Sequence, residues 1–92
     1  SLGQLGRYDD AFKSLDKAIE LEPRNAEYWN IAGNLWYQRQ NYDFAVNMYT
    51  AAIDRNGKEG QYYRNRGGAH RQAARIQEAV NDLLKSVELA PN

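Results

Sequence analysis

The chain repeats itself with a period of thirty-four residues. A shift of that length superposes residues of the same size class along the whole sequence, among them Trp29 on Tyr63, Gly33 on Gly67, Ala11 on Ala45 and then Ala79, and Ala18 on Ala52 and then Ser86. A unit of this length holds one helical hairpin, and such a hairpin cannot bury its apolar face alone. Successive hairpins must therefore stack, and the period predicts an all-α solenoid.

The stretch from Asn25 to Asn56 shows the unit most clearly. Its first half places apolar and aromatic residues at helical spacing, namely Tyr28, Trp29, Ile31, Ala32, Gly33, Leu35 and Trp36. Its second half repeats the pattern with Phe44, Ala45, Met48, Tyr49, Ala52 and Ile53. The short link Arg39-Gln40-Asn41 joins the two helices, so we expect them to pack antiparallel.

The ends of these helices carry their own signals. Asn25 is a suitable N-cap, because its side chain can accept hydrogen bonds from the unpaired N–H groups of the first turn. Asn56-Gly57 is expected to end the second helix, with Gly57 in the left-handed conformation.

These positions resemble the motif of the tetratricopeptide repeat (TPR) family. The motif is represented by Trp29, Ala32-Gly33, Trp36, Ala45, Tyr49, Ala52 and Gly57, and one period later by Tyr63, Arg66-Gly67, His70, Ala79, Leu83, Ser86 and Pro91. The preceding unit supplies Ala11, Leu15, Ala18 and Pro23. The departures are Gly57 in place of Pro, Ser86 in place of Ala, and Arg66 and His70 in place of apolar residues. The resemblance implies a right-handed α-solenoid of antiparallel helical hairpins, with about five helices plus a truncated N-terminal one.

The same alignment predicts one domain over residues 1–92 and a division into units. Residues 1–25 would form the rear part of a first repeat, 26–59 a second repeat and 60–92 a third. Within the first unit, Ser1–Leu5 would end a front helix, Gly6-Arg7 would turn, and Tyr8–Leu21 would form a rear helix that Pro23 stops. In the third unit, Gln61–Ala73 and Ile76–Leu89 would be helical, and Pro91 would close the last helix. Because the chain has no initial Met and opens inside this pattern, we expect it to be a piece of a longer protein.

Charge and composition exclude several classes of function. Lys and Arg number 12, Asp and Glu also 12, and the formal net charge is zero, which argues against broad binding to nucleic acid or anionic membranes. There is no cysteine and hence neither a disulfide nor a catalytic thiol. No apolar run approaches the ~20 residues of a membrane span. A soluble, cytoplasmic location is favoured, although the sequence does not identify the compartment.

No constellation of residues predicts catalysis. One histidine, His70, cannot build a histidine-based metal site, and the serines Ser1, Ser14 and Ser86 lie in no nucleophile-elbow context. We therefore expect no catalytic residue, no metal, no cofactor and no small-molecule substrate. The prediction is a non-catalytic protein–protein interaction module rather than an enzyme.

In the TPR family the front helices line the concave side, and the resemblance implies a binding groove there. The implied groove residues are Glu27, Asn30, Asn34, Tyr37, Gln38, Gln61, Arg64, Asn65, Gly68, Arg71 and Gln72. Their amides can bind a peptide backbone and the two arginines can pair with carboxylates, so the expected partner is a protein or peptide, possibly of acidic character. Some family members hold a C-terminal carboxylate with a Lys/Asn/Arg clamp. The basic clamp positions here hold Asn30, Gln61 and Asn65, so binding of Hsp70 or Hsp90 tails is not expected.

Two alternatives remain at this stage. The chain could be a structural spacer or a self-assembly segment of a longer array, with self-association through an uncapped C-terminal helix that carries Leu83 and Leu84. A minor alternative is nucleic-acid binding by the basic segment 60–75, beside Tyr62 and Tyr63 for stacking. Among the aromatic residues, Trp29, Trp36, Tyr49 and Tyr63 are predicted to be core, whereas Tyr37 and Tyr62 are expected off the packing face.

Overall fold

The structure, a computed structural model, describes the backbone of residues 2–90 and the side chains of residues 8–90. Its elements are α1 (Leu2–Leu21), α2 (Ala26–Gln38), α3 (Tyr42–Arg55), α4 (Gly60–Gln72) and α5 (Ile76–Leu89). Helices α2 and α3 form one hairpin and α4 and α5 another, while α1 packs on α2 and α3 packs on α4. The described residues contain no strand. This arrangement confirms the predicted stack of helical hairpins.

Side chains cap three of the helices at their N-termini. The Asn25 side chain accepts a hydrogen bond from the Glu27 N–H at 3.1 Å, which confirms the predicted cap of α2. Asn41 accepts from the Phe44 N–H at 3.3 Å and so caps α3. Glu59 does the same for α4 through the Gln61 N–H. Each bond satisfies a backbone donor that the first turn leaves unpaired.

Both hairpins turn through the same backbone conformation. Gln40 and Ala74 have φ values of 65° and 64°, and each follows the C-cap residue of its helix, Arg39 for α2 and Ala73 for α4. The next N–H groups reach back to close the helices, Asn41 N–H to the Trp36 carbonyl at 2.9 Å and Arg75 N–H to the His70 carbonyl at 2.8 Å. Glycine usually occupies a position of positive φ. Gln40 and Ala74 therefore adopt a backbone conformation that residues with a side chain disfavour.

The prediction of a left-handed Gly57 is wrong, because the described residues contain no glycine with positive φ. Helix α3 ends at Arg55, and its C-cap Asn56 has φ −149° and ψ 86°. The Asn56 side chain then accepts a hydrogen bond from the Lys58 N–H at 3.2 Å. An asparagine turn of this kind reverses the chain without a left-handed residue.

The predicted turn at Gly6-Arg7 and the separate, truncated N-terminal helix before it are also wrong. Helix α1 runs without a break from Leu2 to Leu21. A glycine inside a helix costs only ~1 kcal/mol relative to alanine, whereas an unbroken helix keeps its backbone hydrogen bonds. Ser1 and Pro91, which entered the predictions for the two chain ends, lie outside the described residues.

Two small clusters form the core between the hairpins. The first combines buried Ala26, Ala52 and Tyr62, with Trp29 and Ile53 packed against it. The second combines Ala45, Tyr49 and Ala69, with Trp36, Tyr37 and Val46 packed against it. Both clusters join residues of the α2–α3 hairpin to one residue of α4, so they hold α4 against that hairpin.

The aromatic predictions divide accordingly. Tyr49 is buried as predicted, while Trp29, Trp36 and Tyr63 are half-buried on the packing faces. Tyr62, which was expected off the packing face, is only 5% exposed and belongs to the first cluster. The error has a physical reason: Tyr62 is the residue of α4 that meets the small side chains Ala26 and Ala52 of the preceding hairpin.

The turn between α1 and α2 is hydrogen-bonded to the C-terminal end of α3. The Pro23 carbonyl accepts hydrogen bonds from Trp29 Nε1 at 3.0 Å and from Arg55 Nε at 2.7 Å. The Arg55 guanidinium also lies 4.3 Å from the centroid of the Trp29 ring. A cation over an aromatic face at this distance adds attraction to the two hydrogen bonds.

Candidate peptide-binding groove

A cavity of about 200 Å³ lies between α2 and α4. It is lined by Asn34, Tyr37, Tyr49, Arg64, Asn65 and Gly68. Five of these six were among the predicted groove residues, and the structure brings them together at one place. Tyr49 was missed, because its ring was correctly assigned to the core. The hydroxyl of a tyrosine at a core position can reach the surface. The choice of tyrosine at this position was therefore the feature of the sequence that could have indicated a groove residue.

A chain of amide hydrogen bonds crosses from α4 to α2 beside this cavity. Gln61 Nε2 donates to Asn65 Oδ1 at 3.0 Å, and Asn65 Nδ2 donates to Asn30 Oδ1 at 2.8 Å. Asn30 was predicted as a groove residue, but it is only 5% exposed, and its side-chain oxygen holds Asn65. The bonds fix the relative position of the two helices that carry the cavity.

Two tyrosine hydroxyls make further bonds across the helices. Tyr49 Oη donates to Asn34 Oδ1 at 2.6 Å, and burial raises the pKa of Tyr49 far above its usual range. Tyr62 Oη donates to Glu27 Oε2 at 3.2 Å, and burial followed by the Glu27 charge raises the pKa of Tyr62 to about 12. Both hydroxyls therefore stay protonated and act as donors.

The remaining predicted groove residues lie around the cavity rather than in it. Gln38, Arg71 and Gln72 are exposed on α2 and α4 and do not line it. Gln61 and Arg64 also line a second cavity of about 440 Å³, between the start of α4 and the end of α5. Arg64 thus stands between two openings, and its side chain is accessible from both.

The basic segment 60–75 is partly neutralised inside the fold. Arg66 binds Asp82 through two hydrogen bonds, Nε to Oδ2 at 2.8 Å and Nη2 to Oδ1 at 2.7 Å. Arg75 forms an ion pair with Asp43 of α3. Among the described residues, Arg64 and Arg71 make no ion pair. Two of the four arginines are thus occupied by carboxylates, which weakens the case for a nucleic-acid surface.

The histidine of this segment also lies inside the fold. His70 Nε2 is 3.7 Å from Asp82 Oδ2, and its Nδ1 is buried without a hydrogen-bond partner. Burial lowers the pKa of His70; Asp82 opposes the shift, Arg66 and Arg75 add to it, and Glu78 opposes it. Within the residues that the structure describes, no group of three or more His, Cys, Asp and Glu side chains could hold a metal ion. None of the described helices is long and apolar enough to cross a membrane.

Comparison with known proteins decides the family. A family model described as tetratricopeptide repeat matches residues 1–46 and 37–92, which together cover the chain. The chain belongs to the tetratricopeptide repeat family. This confirms the predicted repeat solenoid.

Relatives of this TPR segment occur in larger proteins. Human DnaJ homolog subfamily C member 7 is 39% identical over 66 residues, which are 72% of this chain and 13% of that protein. Rice U-box domain-containing protein 70 is 26% identical over 91 residues, 99% of this chain and 11% of that protein. The chain therefore spans less than a fifth of the length of these relatives.

Solved TPR structures share the fold at low sequence identity. The first TPR of Spaghetti bound to an HSP90 peptide has a TM-score of 0.87 at 24% identity, covering 97% of this chain and 71% of that chain. The Yersinia enterocolitica type III secretion chaperone SycD, in complex with a peptide of the translocator YopD, has a TM-score of 0.88 at 24% identity, covering 97% of this chain and 68% of that chain. At this level of identity the similarity shows the fold of the segment.

Proposed function

We propose that the surface formed by α2 and α4 docks an extended peptide segment of a partner protein and performs no catalysis. The observation that carries this proposal is the cavity between the two helices, where five predicted groove residues meet. Two solved TPR structures of similar fold hold peptides, which supports the same use here.

The chemistry of the surface favours a segment with carboxylates. Arg64 and Arg71 lie on α4 without ion pairs among the described residues, so each can bind a carboxylate of the partner. The neighbouring asparagine and glutamine amides suit a peptide backbone. For a peptide bound at this small cavity we expect a micromolar affinity, about −8 kcal/mol.

A peptide-array screen followed by titration tests the proposal. The double variant Arg64→Glu/Arg71→Glu is expected to lose at least about tenfold in affinity for acidic peptides, because attraction becomes repulsion at the groove. The matched control is Lys13→Glu/Lys17→Glu, which makes the same change of net charge on the exposed face of α1. If no peptide binds the wild type, or both double variants bind equally well while folded, the groove is not the docking site.

A second candidate function, self-association through α5, rests on a separate observation. Helix α5 exposes a row of apolar side chains, Ile76, Val80, Leu83, Leu84 and Val87. One period earlier, Val46 and Tyr49 pack in a cluster with Ala69 of α4, Ile53 packs against the cluster of Tyr62, and Thr50 accepts a hydrogen bond from Arg66. The α5 row thus occupies the place that a following helix covers in the preceding hairpin.

Sedimentation over a range of concentrations separates this candidate from groove docking. Self-association through α5 predicts a mass that rises with concentration in the wild type and stays monomeric in Leu84→Lys/Val87→Lys. A monomer at every concentration for both proteins would eliminate self-association and leave peptide docking untouched.

A further inference from the structure

We propose that Asn56 is a site of spontaneous covalent modification, at which the side-chain amide loses ammonia and becomes an aspartyl or an isoaspartyl linkage. The site lies in the segment that joins α3 to α4, outside the residues that line the docking cavity. The inference is independent of the proposed docking function. It rests on the pair Asn56-Gly57 and on the conformation that the structure gives to this pair.

The reaction needs water as its only co-reactant. The backbone nitrogen of Gly57 attacks Cγ of Asn56 and gives up its proton to solvent. The new N–Cγ bond closes a succinimide ring, and the Cγ–Nδ2 bond breaks as Nδ2 takes a proton and leaves as ammonia. Water then adds to one of the two ring carbonyls and breaks its bond to nitrogen. Opening at Cγ gives an aspartyl residue, and opening at the backbone carbonyl gives an isoaspartyl residue, in which the main chain runs through Cβ and Cγ.

The nucleophile, the Gly57 nitrogen, is accessible and unobstructed. Asn56 and Gly57 are both exposed. The Asn56 N–H closes α3 by donating to the Ala52 carbonyl at 2.9 Å, whereas the next N–H, that of Gly57, donates no hydrogen bond within the described part of the chain. Glycine carries no Cβ, so no side chain hinders the approach of its nitrogen to Cγ.

The electrophile, the Asn56 amide, is folded back over the residues that follow it. Its Oδ1 accepts a hydrogen bond from the Lys58 N–H at 3.2 Å. The ring that this bond closes contains both Cγ and the Gly57 nitrogen, so it keeps the two reacting atoms close together. The same N–H stabilises the negative charge that Oδ1 gains when the nitrogen attacks Cγ.

The repeat confines this chemistry to one unit. The positions one period before and one period after Gly57 hold Pro23 and Pro91, and a proline nitrogen has no proton to lose. The residues before these prolines are Glu22 and Ala90, neither of which has a side-chain amide. The link between α3 and α4 therefore combines an amide and a reactive nitrogen that the equivalent positions lack.

Modification would change the connection between the two hairpins. Both products add a negative charge directly after the last turn of α3, where the helix carbonyls already carry negative partial charge. The isoaspartyl product also adds one methylene to the main chain between α3 and α4. The unmodified chain has zero net charge, so the products are separated from it readily by ion exchange.

The test incubates the wild type and Gly57→Ala side by side in mildly alkaline buffer, with the peptide RNGKE, residues 55–59, as an unstructured reference. Gly57→Ala keeps Asn56 and is compatible with the fold. The described glycines have no positive φ, and a Cβ at Gly57 would lie 3.5 Å from the Ile53 carbonyl oxygen, an ordinary contact. Ion exchange measures the acidic species, and mass spectrometry of fragments locates the modified residue.

The folded wild type is expected to accumulate the acidic species, modified at Asn56, at a rate within about tenfold of RNGKE. Gly57→Ala is expected to react at least about tenfold more slowly, because its Cβ hinders ring closure. A wild type that stays unmodified while RNGKE is converted would overturn the proposal. Equal rates in the wild type and Gly57→Ala, or earlier modification of another asparagine, would overturn it as well.

Discussion

The two hairpins use different chemistry at equivalent places. In the α2–α3 hairpin three positions hold Ala32, Trp36 and Met48, which are apolar. One period later the α4–α5 hairpin holds Arg66, His70 and Asp82. The carboxylate of Asp82 accepts two hydrogen bonds from Arg66 and lies 3.7 Å from His70 Nε2. Equivalent positions of the two hairpins are therefore apolar in one and ionic in the other.

The difference teaches how each hairpin fails. An apolar contact loses stability in proportion to the area removed, so it weakens gradually when trimmed. A buried ion pair is sensitive to the loss of one partner, because the other is left desolvated and unpaired. Asp82 is 6% exposed, and Arg66 holds it with two bonds, so the α4–α5 hairpin is the more vulnerable to a single substitution.

The largest expected effect is that of Asp82→Ala. It leaves Arg66 and His70 without their carboxylate and should cost about 3 kcal/mol in the free energy of unfolding. Urea unfolding followed by circular dichroism measures the loss. The triple variant Arg66→Ala/His70→Trp/Asp82→Met, which copies the α2–α3 residues, is expected to recover most of that loss. A triple variant as unstable as Asp82→Ala would show that the ionic group cannot be replaced by its apolar counterpart.

The glycines of the two hairpins sharpen the comparison. In Gly33→Ala the new methyl group meets the buried Tyr49 ring at 2.4 Å, and the expected destabilisation is about 2 kcal/mol. In Gly67→Ala the nearest atoms are 3.2 Å away, so the loss should be smaller. Gly68→Ala is the control: nothing lies within 4 Å, and the better helix propensity should add up to ~1 kcal/mol. Thermal unfolding of the three variants gives the order, which would be contradicted if Gly33→Ala were the mildest.

The two hairpin turns have the same backbone conformation, so substitution by glycine should change the stability in the same direction at both. Ala74→Gly and Gln40→Gly each place glycine at a positive φ, with an expected gain of about 1 kcal/mol. Lys17→Gly, inside α1, is the opposite control, with an expected loss of roughly 1 kcal/mol. A loss of stability in Ala74→Gly, measured by urea midpoint, would mean that the left-handed alanine carries no strain.

The smallest expected effect is a pH dependence confined to the ionic hairpin. Burial lowers the pKa of His70 in the folded chain below its usual value of 6.5, so the unfolded chain binds the proton more readily. The His70 contribution to stability is therefore complete above that value and declines as the pH falls through it. Urea midpoints at about pH 7.5 and about pH 5.5 should differ more for the wild type than for His70→Gln. An equal difference in both proteins would assign the dependence to other groups.

Much of the fold was predictable because its signals are local and periodic. The helical spacing of the aromatic and small residues, the Asn25 cap and the short Arg39–Asn41 link are all read within one turn of helix. The left-handed residues were not predictable in this way, since Gln40 and Ala74 hold positions where glycine is the usual signal. The left-handed conformation is kept at Gln40 and Ala74 although it is unfavourable for these residues. It allows the next N–H groups, those of Asn41 and Arg75, to donate to the Trp36 and His70 carbonyls at the ends of α2 and α4.

The sequence predicted most of the residues that line the cavity but not their geometry. The resemblance to the TPR family marked the residues of the front helices, and the structure gathers five of them at one cavity. The pairing of Arg66 with Asp82 and the bond from Tyr49 to Asn34 depend on contacts between helices that one-dimensional spacing does not contain. Tyr62 illustrates the same limit, because its burial is set by alanines of the preceding hairpin.

The tie at Pro23 has a mechanical consequence. One carbonyl holds Trp29 in the first turn of α2 and Arg55 in the last turn of α3, so tension applied to α1 is passed to both helices of the next hairpin. A stack of hairpins without such ties would peel one helix at a time from its pulled end. Here we expect α1 and the hairpin that follows it to unfold together, in a single step, when the chain is pulled.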